Sequence, residues 1–370
     1  MPKGTAQLVP PSISSSSDVN LQSNHQWASK IDPKFWGVMG VLLMFSYGVT
    51  PYPEIARWTG FLFGSYAAVA NDSIQTLGTF IASNKHRPWW MLWIFAAGIF
   101  VVTSAYSWLN YGGDVSYARL ASKGFEQTPM SFTFLQVAAP LVLIVLTRWK
   151  MPVSTTFLLL TSFATEMKSV QSVLYKSLSG YVLAFGLAIV LWLSMSKVFD
   201  KWFQGKAHPL WSIGQWLTTG TLWSVWLMQD AANIAVYLPR QLSPVAFAAF
   251  LSTIVLGLGW IFFKGGDRIQ EVVDEKTCIT DIRAATIVDL LYAVILFYFK
   301  MHSKIPMSTT WVFLGLLGGR ELAMAFHRNQ RKESMQQALK MLGKDASLAG
   351  VGLLISFGIA ILVNSQIEII

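Results

Sequence analysis

The sequence predicts an all-α polytopic membrane protein, built as two inverted-topology repeats with a pair of re-entrant half-helices and about 10 to 12 membrane segments. Three observations predict it. The composition is too poor in charge for a soluble chain, apolar runs of membrane-crossing length recur along it, and one ordered pair of polar motifs occurs twice.

The 370 residues are 53% hydrophobic and 13% charged, with a mean hydropathy of +0.46. Soluble domains carry about 25% charge. The net charge of +9 is spread over short segments between apolar runs, as expected for basic residues retained at a membrane face. A nucleic-acid partner would need a clustered basic face interleaved with aromatics, which the sequence lacks. Cys278 is the only cysteine, which excludes an intrachain disulfide and a cysteine-rich metal site. His86, His208, His302 and His327 show no metal-ligand spacing. Walker A, GxGxxG, HExxH and GxSxG patterns are missing, so the sequence predicts neither an enzyme nor an organic cofactor.

Residues 1–32 are polar, contain the run SISSSS, and read as a disordered tail rather than a secretory signal. An N-terminal transmembrane repeat is expected over 33–198, from apolar runs near 34–49, 56–82, 89–109, 130–147, 151–164 and 172–198. The stretch DKWFQGKAHPLW at 199–210 reads as a linker. A C-terminal transmembrane repeat follows over 211–370, with runs near 211–238, 244–263, 282–300, 306–323 and 346–365. The longer polar segments fall at 109–130, 264–281 and 324–345, the last being basic and partly amphipathic, as for a surface helix at the headgroups. The runs at 151–164 and 306–323 each begin with a proline-led polar cluster, MPVSTT and IPMSTT. The first would give only about 21 Å of helix at 1.5 Å per residue. Both are expected to be half-helices entering from one side. Basic residues at 85–87 and in 324–345 would face opposite sides of inverted halves, so no orientation is read.

Two polar motifs interrupt the apolar runs: AVANDSIQTLGT at 69–80 and MQDAANIAVYLP at 228–239. Each precedes one of the STT clusters. The aspartate-to-serine gap is 82 residues in the first half (154 − 72) and 78 in the second (308 − 230). Duplication with polar breaks at matching places points to a secondary transporter with a midplane site. A carboxylate at the bilayer centre costs at least ~2.5 kcal/mol and is retained where it has a partner or a watery cavity. Asn71, Asp72 and Gln75, with Gln229, Asp230 and Asn233, supply hard oxygen ligands. These suit a small cation such as Na⁺ centred on Asp72 and Asp230, and the carboxylates alone would suit a proton. Gln136 and Asp289 lie 18 and 19 residues before their STT serine (154 − 136; 308 − 289) and are secondary candidates for a cation or proton site. Pro152 and Pro306 fit a first helical turn. Ser154, Thr155 and Thr156, and Ser308, Thr309 and Thr310, would then offer hydroxyls and free backbone N–H groups to an anion.

At these residues the sequence resembles the inorganic phosphate transporter (PiT) family, which includes phosphate and sulfate permeases. That family carries a GANDVANSFGT-like signature in each half, followed by a PVSTTH-like helix start. AVANDSIQTLGT matches at Asn71, Asp72, Gly78 and Thr79, with Gln75 in place of the second asparagine. QDAANIA matches at Asp230 and Asn233, with Gln229 where the family has asparagine. PVSTT and PMSTT match, with Phe157 and Trp311 in place of the following histidine. The resemblance covers about residues 50–365 and marks a divergent member. It implies cation-coupled (Na⁺ or H⁺) symport of inorganic phosphate across a cell membrane by alternating access. The anion would sit at the STT clusters and the cation at the Asp/Asn pairs. A doubly charged phosphate would need more than one cation, since each charge is worth ~2.3 kcal/mol per 100 mV. The departures leave sulfate or another oxyanion open as substrate, and a non-transporting membrane sensor open as role. Expected partners are the oxyanion, the coupling ion and lipid; the oligomeric state is open, a homodimer included.

Overall fold

The structure, a computed structural model, describes residues 32–122, 124–149, 151, 153–202, 205–264, 281–327 and 331–363. The expected tail lies outside the described residues up to position 31, as do Pro152 and most of the polar segment 264–281. The chain divides into two units, 1–44 and 45–370. In the first, the helix α1 (Pro33–Val49) begins on a proline, whose missing N–H would be unpaired there anyway. Asp32 accepts from the Lys34 N–H at 3.1 Å just ahead of that first turn.

All regular elements of the second unit, among the described residues, are helical. They are α2 (Pro53–Ser83), α3 (Trp89–Asn110), α4 (Phe134–Arg148), α5 (Thr155–Leu158) with a 3₁₀ turn at Leu160–Phe163, α6 (Met167–Trp202), α7 (Leu210–Ala235), α8 (Pro244–Phe263), α9 (Ile282–His302), α10 (Thr309–His327) and α11 (Arg331–Val363). Local chemistry sets the starts. Pro53 and Glu54 open α2, Thr133 and Gln136 form a capping box on α4, Ser243 caps α8 and Asp281 caps α9.

Five stretches are long and apolar enough to cross a bilayer: Trp89–Asn110, Met167–Met195, Pro244–Phe263, Ile282–His302 and Ala338–Val363. This is the signature of a membrane protein. The helices α2 and α7 have 31 and 26 residues and are not among the five. Each carries one of the duplicated polar motifs in its C-terminal half, the second running past the end of α7.

Two belts of hydrogen bonds tie the ends of the bundle. At one end the segment 111–133 is stitched to 236–243. Leu242 N–H donates to Gly113 O at 2.9 Å, Trp108 Nε1 to Leu242 O at 2.8 Å, and Arg240 to Phe125 O and Gln127 O at 3.0 and 2.6 Å. Arg57, near the start of α2, donates to Pro129 O there at 2.9 Å. At the other end Asn84, just past α2, donates to Gln215 at 2.9 Å in the first turns of α7. The helices α2 and α7 therefore run antiparallel. The two halves read from the sequence interlock rather than fold apart.

α6 and α10 pack backbone to backbone. A Cβ on Gly315 would lie 2.4 Å from Tyr181 O, and one on Gly319 would lie 2.3 Å from Phe185 O. Small residues four apart are what lets helices approach this closely in a membrane.

Three elements differ from expectation. The two STT runs are unequal: the first opens a four-residue helix and a 3₁₀ turn, the second a 19-residue helix. In the first, the Thr161 hydroxyl takes Phe157 O and the Ser162 hydroxyl takes Leu159 O at 2.6 Å, which competes with the helical ladder. The second continues through Leu, Ala, Arg and Glu, all good helix formers. The chain folds back over the short element: Gln136 Nε2 donates to Ser162 O at 3.0 Å and Thr165 N–H to Gly124 O at 3.0 Å. The basic segment 324–345 forms no helix of its own. Its first part ends α10, 328–330 lie outside the described residues, and from Arg331 it is the N-terminal part of α11. Finally, the expected linker is helical in α6 as far as Trp202.

Candidate functional site

The residues singled out by sequence meet in the middle of the bundle. Each of Asn71, Asp72, Gln75, Ser154, Thr155, Thr156, Gln229, Asp230, Asn233, Ser308, Thr309 and Thr310 is buried, at most 7% exposed. Thr155 is the hub. Its hydroxyl donates to Asp72 Oδ2 and accepts from Asn233 Nδ2 at 2.9 Å. Asn233 also donates to Asp230 Oδ1 at 2.6 Å. The two motifs, 158 residues apart in sequence (230 − 72), are thus joined through one side chain of the first STT cluster.

The second cluster joins through the backbone. Thr156 Oγ1 lies 3.1 Å from Met307 O and 3.4 Å from Asp230 Oδ1, its one hydrogen shared between them. Ser308 N–H donates to Ser177 Oγ at 2.8 Å. Thr309 Oγ1 accepts from Trp226 Nε1 at 3.2 Å, and Thr309 O from Tyr292 at 2.9 Å. Ser154 and Ser308 each cap their own helix, accepting from Phe157 and Trp311 N–H at 3.3 Å. Thr310 is buried in the same turn.

The two carboxylates are not equivalent. Asp72 has a donor on each oxygen: Asn71 Nδ2 at 2.6 Å on Oδ1 and Thr155 on Oδ2. Asn71 also donates to Val153 O at 2.9 Å, and Gln75 Nε2 to Asn71 Oδ1 at 3.4 Å. Asp230 Oδ2 has no donor, and neither do Gln229 Oε1 and Asn233 Oδ1. The Thr309 hydroxyl is in electrostatic reach of Asp230 but outside hydrogen-bond geometry. These are three buried acceptor oxygens on α7 without donors, and an oxygen of this kind is a hard ligand that a small cation can satisfy. A cavity of about 20 Å³ touches Asp230 but is otherwise lined by hydrophobic residues such as Trp223, Trp226, Phe250 and Ile254, so it adds no further ligand to that carboxylate. Among the described residues no group of three His, Cys, Asp or Glu side chains is placed for a metal. The donor set suits an alkali cation or proton better than a transition metal.

As an anion site, the STT clusters differ from expectation. The Thr155 and Thr156 hydroxyls are turned toward carboxylates and a carbonyl rather than left open to an anion. The residues following the two clusters pack on each other, Phe157 against Trp311 with ring centres 5.6 Å apart and edge to face. On the other side of Trp311 a cavity of about 200 Å³ is lined by Tyr181, Leu342 and Asp345.

Gln136 is not part of this cluster. Its oxygen accepts from Thr133 N–H at 2.9 Å and its amide holds Ser162 O; it caps and pins the short element. Asp289 forms a separate buried node, accepting from Thr79 at 2.8 Å and Thr219 at 2.5 Å. Sequence reasoning missed Thr219, Trp226, Tyr292 and Arg119. The first three carry no spacing signal, and Arg119 sits in a segment read only as polar.

Replacing Thr155 by Val is expected to leave Asp72 Oδ2 without its donor, while the Asn233 amide keeps Asp230 Oδ1 and Thr156 Oγ1. The folded protein should lose about 1–3 kcal/mol, read as a lower melting temperature in detergent, while Thr155→Ser restores it.

Set against models of known families, curated proteins and solved structures, the chain matches none.

Proposed function

We propose that this protein is a secondary transporter of a multi-pass cell membrane. It couples movement of an inorganic oxyanion, phosphate foremost, to Na⁺ or H⁺ by alternating access. One observation carries the reading: Thr155 hydrogen-bonds both Asp72 and Asn233, so duplicated motifs from both halves share one buried polar centre. The acceptor oxygens of Gln229, Asp230 and Asn233 that lack donors support a cation there over interhelical hydrogen bonding alone.

The order of elements supports an inverted repeat. The series α2, α3, α4, α5 with its 3₁₀ turn, and α6 corresponds to α7, α8, α9, α10 and α11. In both series the polar motif falls on the first helix and the STT cluster opens the fourth. The antiparallel α2 and α7 are what inversion requires. Folding back of 136–162 supports α4 and α5 as a re-entrant pair. In this reading the cation neutralises Asp230, and the Phe157–Trp311 contact closes the centre on one side. The two halves then rock about it to admit the anion.

The test is uptake of radiolabelled phosphate and sulfate into proteoliposomes under an imposed Na⁺ gradient, a pH gradient, or neither. Gradient-dependent accumulation of either anion is expected. Accumulation of neither under any gradient would leave the sensor reading standing.

A further inference from the structure

Arg119 lies outside the duplicated motifs, yet it is 2% exposed and its guanidinium reaches the second polar motif and the segment before the second STT cluster. Nε donates to Met228 O at 2.8 Å, two residues before Asp230. Nη1 reaches Ser303 O, Lys304 O and Ile305 O at 3.5, 3.3 and 3.3 Å, on the segment leading into Ser308. Nη2 has no acceptor among the described residues. The turn that delivers it is strained and braced. Tyr117 and Ala118 have φ of 55° and 58°, a conformation side chains rarely adopt. Asp114 holds the turn, accepting from Ser116 N–H, Ser116 Oγ and Ala118 N–H at 2.7, 2.9 and 2.7 Å.

Two lysines join it. Lys176 Nζ donates to the same carbonyls, Ser303 O at 3.2 Å and Ile305 O. Lys300 Nζ sits 5.3 Å above the Tyr117 ring and in electrostatic range of Arg119. Neither Arg119 nor either lysine has a carboxylate within ion-pair distance among the described residues. Arg119 is buried and the two lysines are half-buried; like charges gathered this closely repel one another, and an anion among them would offset that. Next to the segment that Arg119 and Lys176 hold is a cavity of about 130 Å³, lined by Ser122, Phe125, Glu166, Lys168, Ser169, Ser172 and Ile305 and not by the three cations themselves; Lys168 and the serines favour an anion there and Glu166 opposes one. Its walls adjoin the cluster: Ser122 donates to Arg119 O, and Ile305 O is held by both Arg119 and Lys176.

We propose that Arg119, Lys176 and Lys300 form a binding site for a free tetrahedral oxyanion of the phosphate or sulfate type, distinct from the Thr155 centre. The inference rests on the oxyanion-transport reading and gives the anion a location that the STT hydroxyls do not provide in this conformation. The free Nη2 of Arg119 and the two ammonium groups supply the positive charge and the donors such an ion takes. Arg119 also feels the charge of Asp230.

The test uses the full-length protein purified in detergent, with equilibrium binding of labelled phosphate and sulfate and their effect on melting temperature. Both anions should bind and stabilise where chloride does not. Arg119→Gln and Lys300→Gln should each weaken phosphate binding roughly 10- to 100-fold. Lys300 makes no hydrogen bond among the described residues, so Lys300→Gln tests the site even if Arg119→Gln fails to fold. Phosphate binding unchanged in Lys300→Gln and Arg119→Gln would overturn the site and leave the transport reading intact. Binding of neither anion by the unaltered protein would overturn both. Stabilisation by phosphatidylglycerol, lost in Lys300→Gln and with none from free phosphate, would make the ligand a lipid headgroup and overturn the proposal.

Discussion

Replacing Asp230 by asparagine is expected to cut cation-driven uptake by roughly 100-fold or more while the protein still folds. The carboxylate is buried, one oxygen accepts from Asn233 at 2.6 Å and the other has no donor. An amide keeps the shape but removes the charge that a cation needs in a medium where unpaired charge is expensive. Breaking such a buried pair costs about 3–5 kcal/mol, which sets the size of the effect. Stability should move the other way. Without bound cation, Asp230 is an uncompensated buried charge, so Asp230→Asn should melt at a higher temperature than the parent in cation-free buffer and lose the stabilisation that cation gives the parent. Uptake that keeps its cation dependence in this variant would remove Asp230 from the coupling role.

The largest structural effect is expected at Gly319. A valine there would drive a methyl-bearing carbon against Phe185 O, 2.3 Å from the ideal Cβ, with Ala188 Cβ only 3.0 Å away. Neither neighbour is a flexible side-chain tip, so α6 and α10 would have to separate along their shared face. Overpacking usually costs 1–3 kcal/mol, occasionally more; an obstruction by backbone is expected at or above about 3 kcal/mol. Gly319→Val should give little monodisperse protein, with a melting temperature far below that of the parent. Gly343→Ala is the control, because a Cβ there meets nothing within 4 Å; it should be neutral or slightly stabilising, by up to ~1 kcal/mol. Equal stability of Gly319→Val and the parent would contradict the close packing of α6 on α10.

The sequence exposed most of the helices because hydrocarbon-length runs leave no alternative reading, and it exposed Asp72, Asp230 and the STT clusters because polar residues stand out in apolar runs, twice. Three features stayed hidden, each for a physical reason. Arg119 lies in the polar stretch between α3 and α4, where an arginine is unremarkable; only the backbone of 114–118 turns it inward. The inequality of the two STT elements depends on Thr161 and Ser162 bonding back to their own turn, which composition does not reveal. The union of 331–345 with the last apolar run reflects good helix formers on both sides of Gly343, with no breaker strong enough to end a helix. The contact between Phe157 and Trp311, which follow the two STT clusters, is likewise visible only in the packing.

Coupling is reciprocal: if a cation gradient drives the anion, an anion gradient must drive the cation. The most direct measurement is therefore ²²Na⁺ entry, alongside lumenal pH, in proteoliposomes given an inward phosphate gradient and no cation gradient. Uphill movement of Na⁺ or H⁺ that stops when phosphate is equal on both sides, and is lost in Asp230→Asn, is the predicted result. Phosphate that equilibrates, or stays outside, without moving either cation would contradict the shared buried centre as a coupling device.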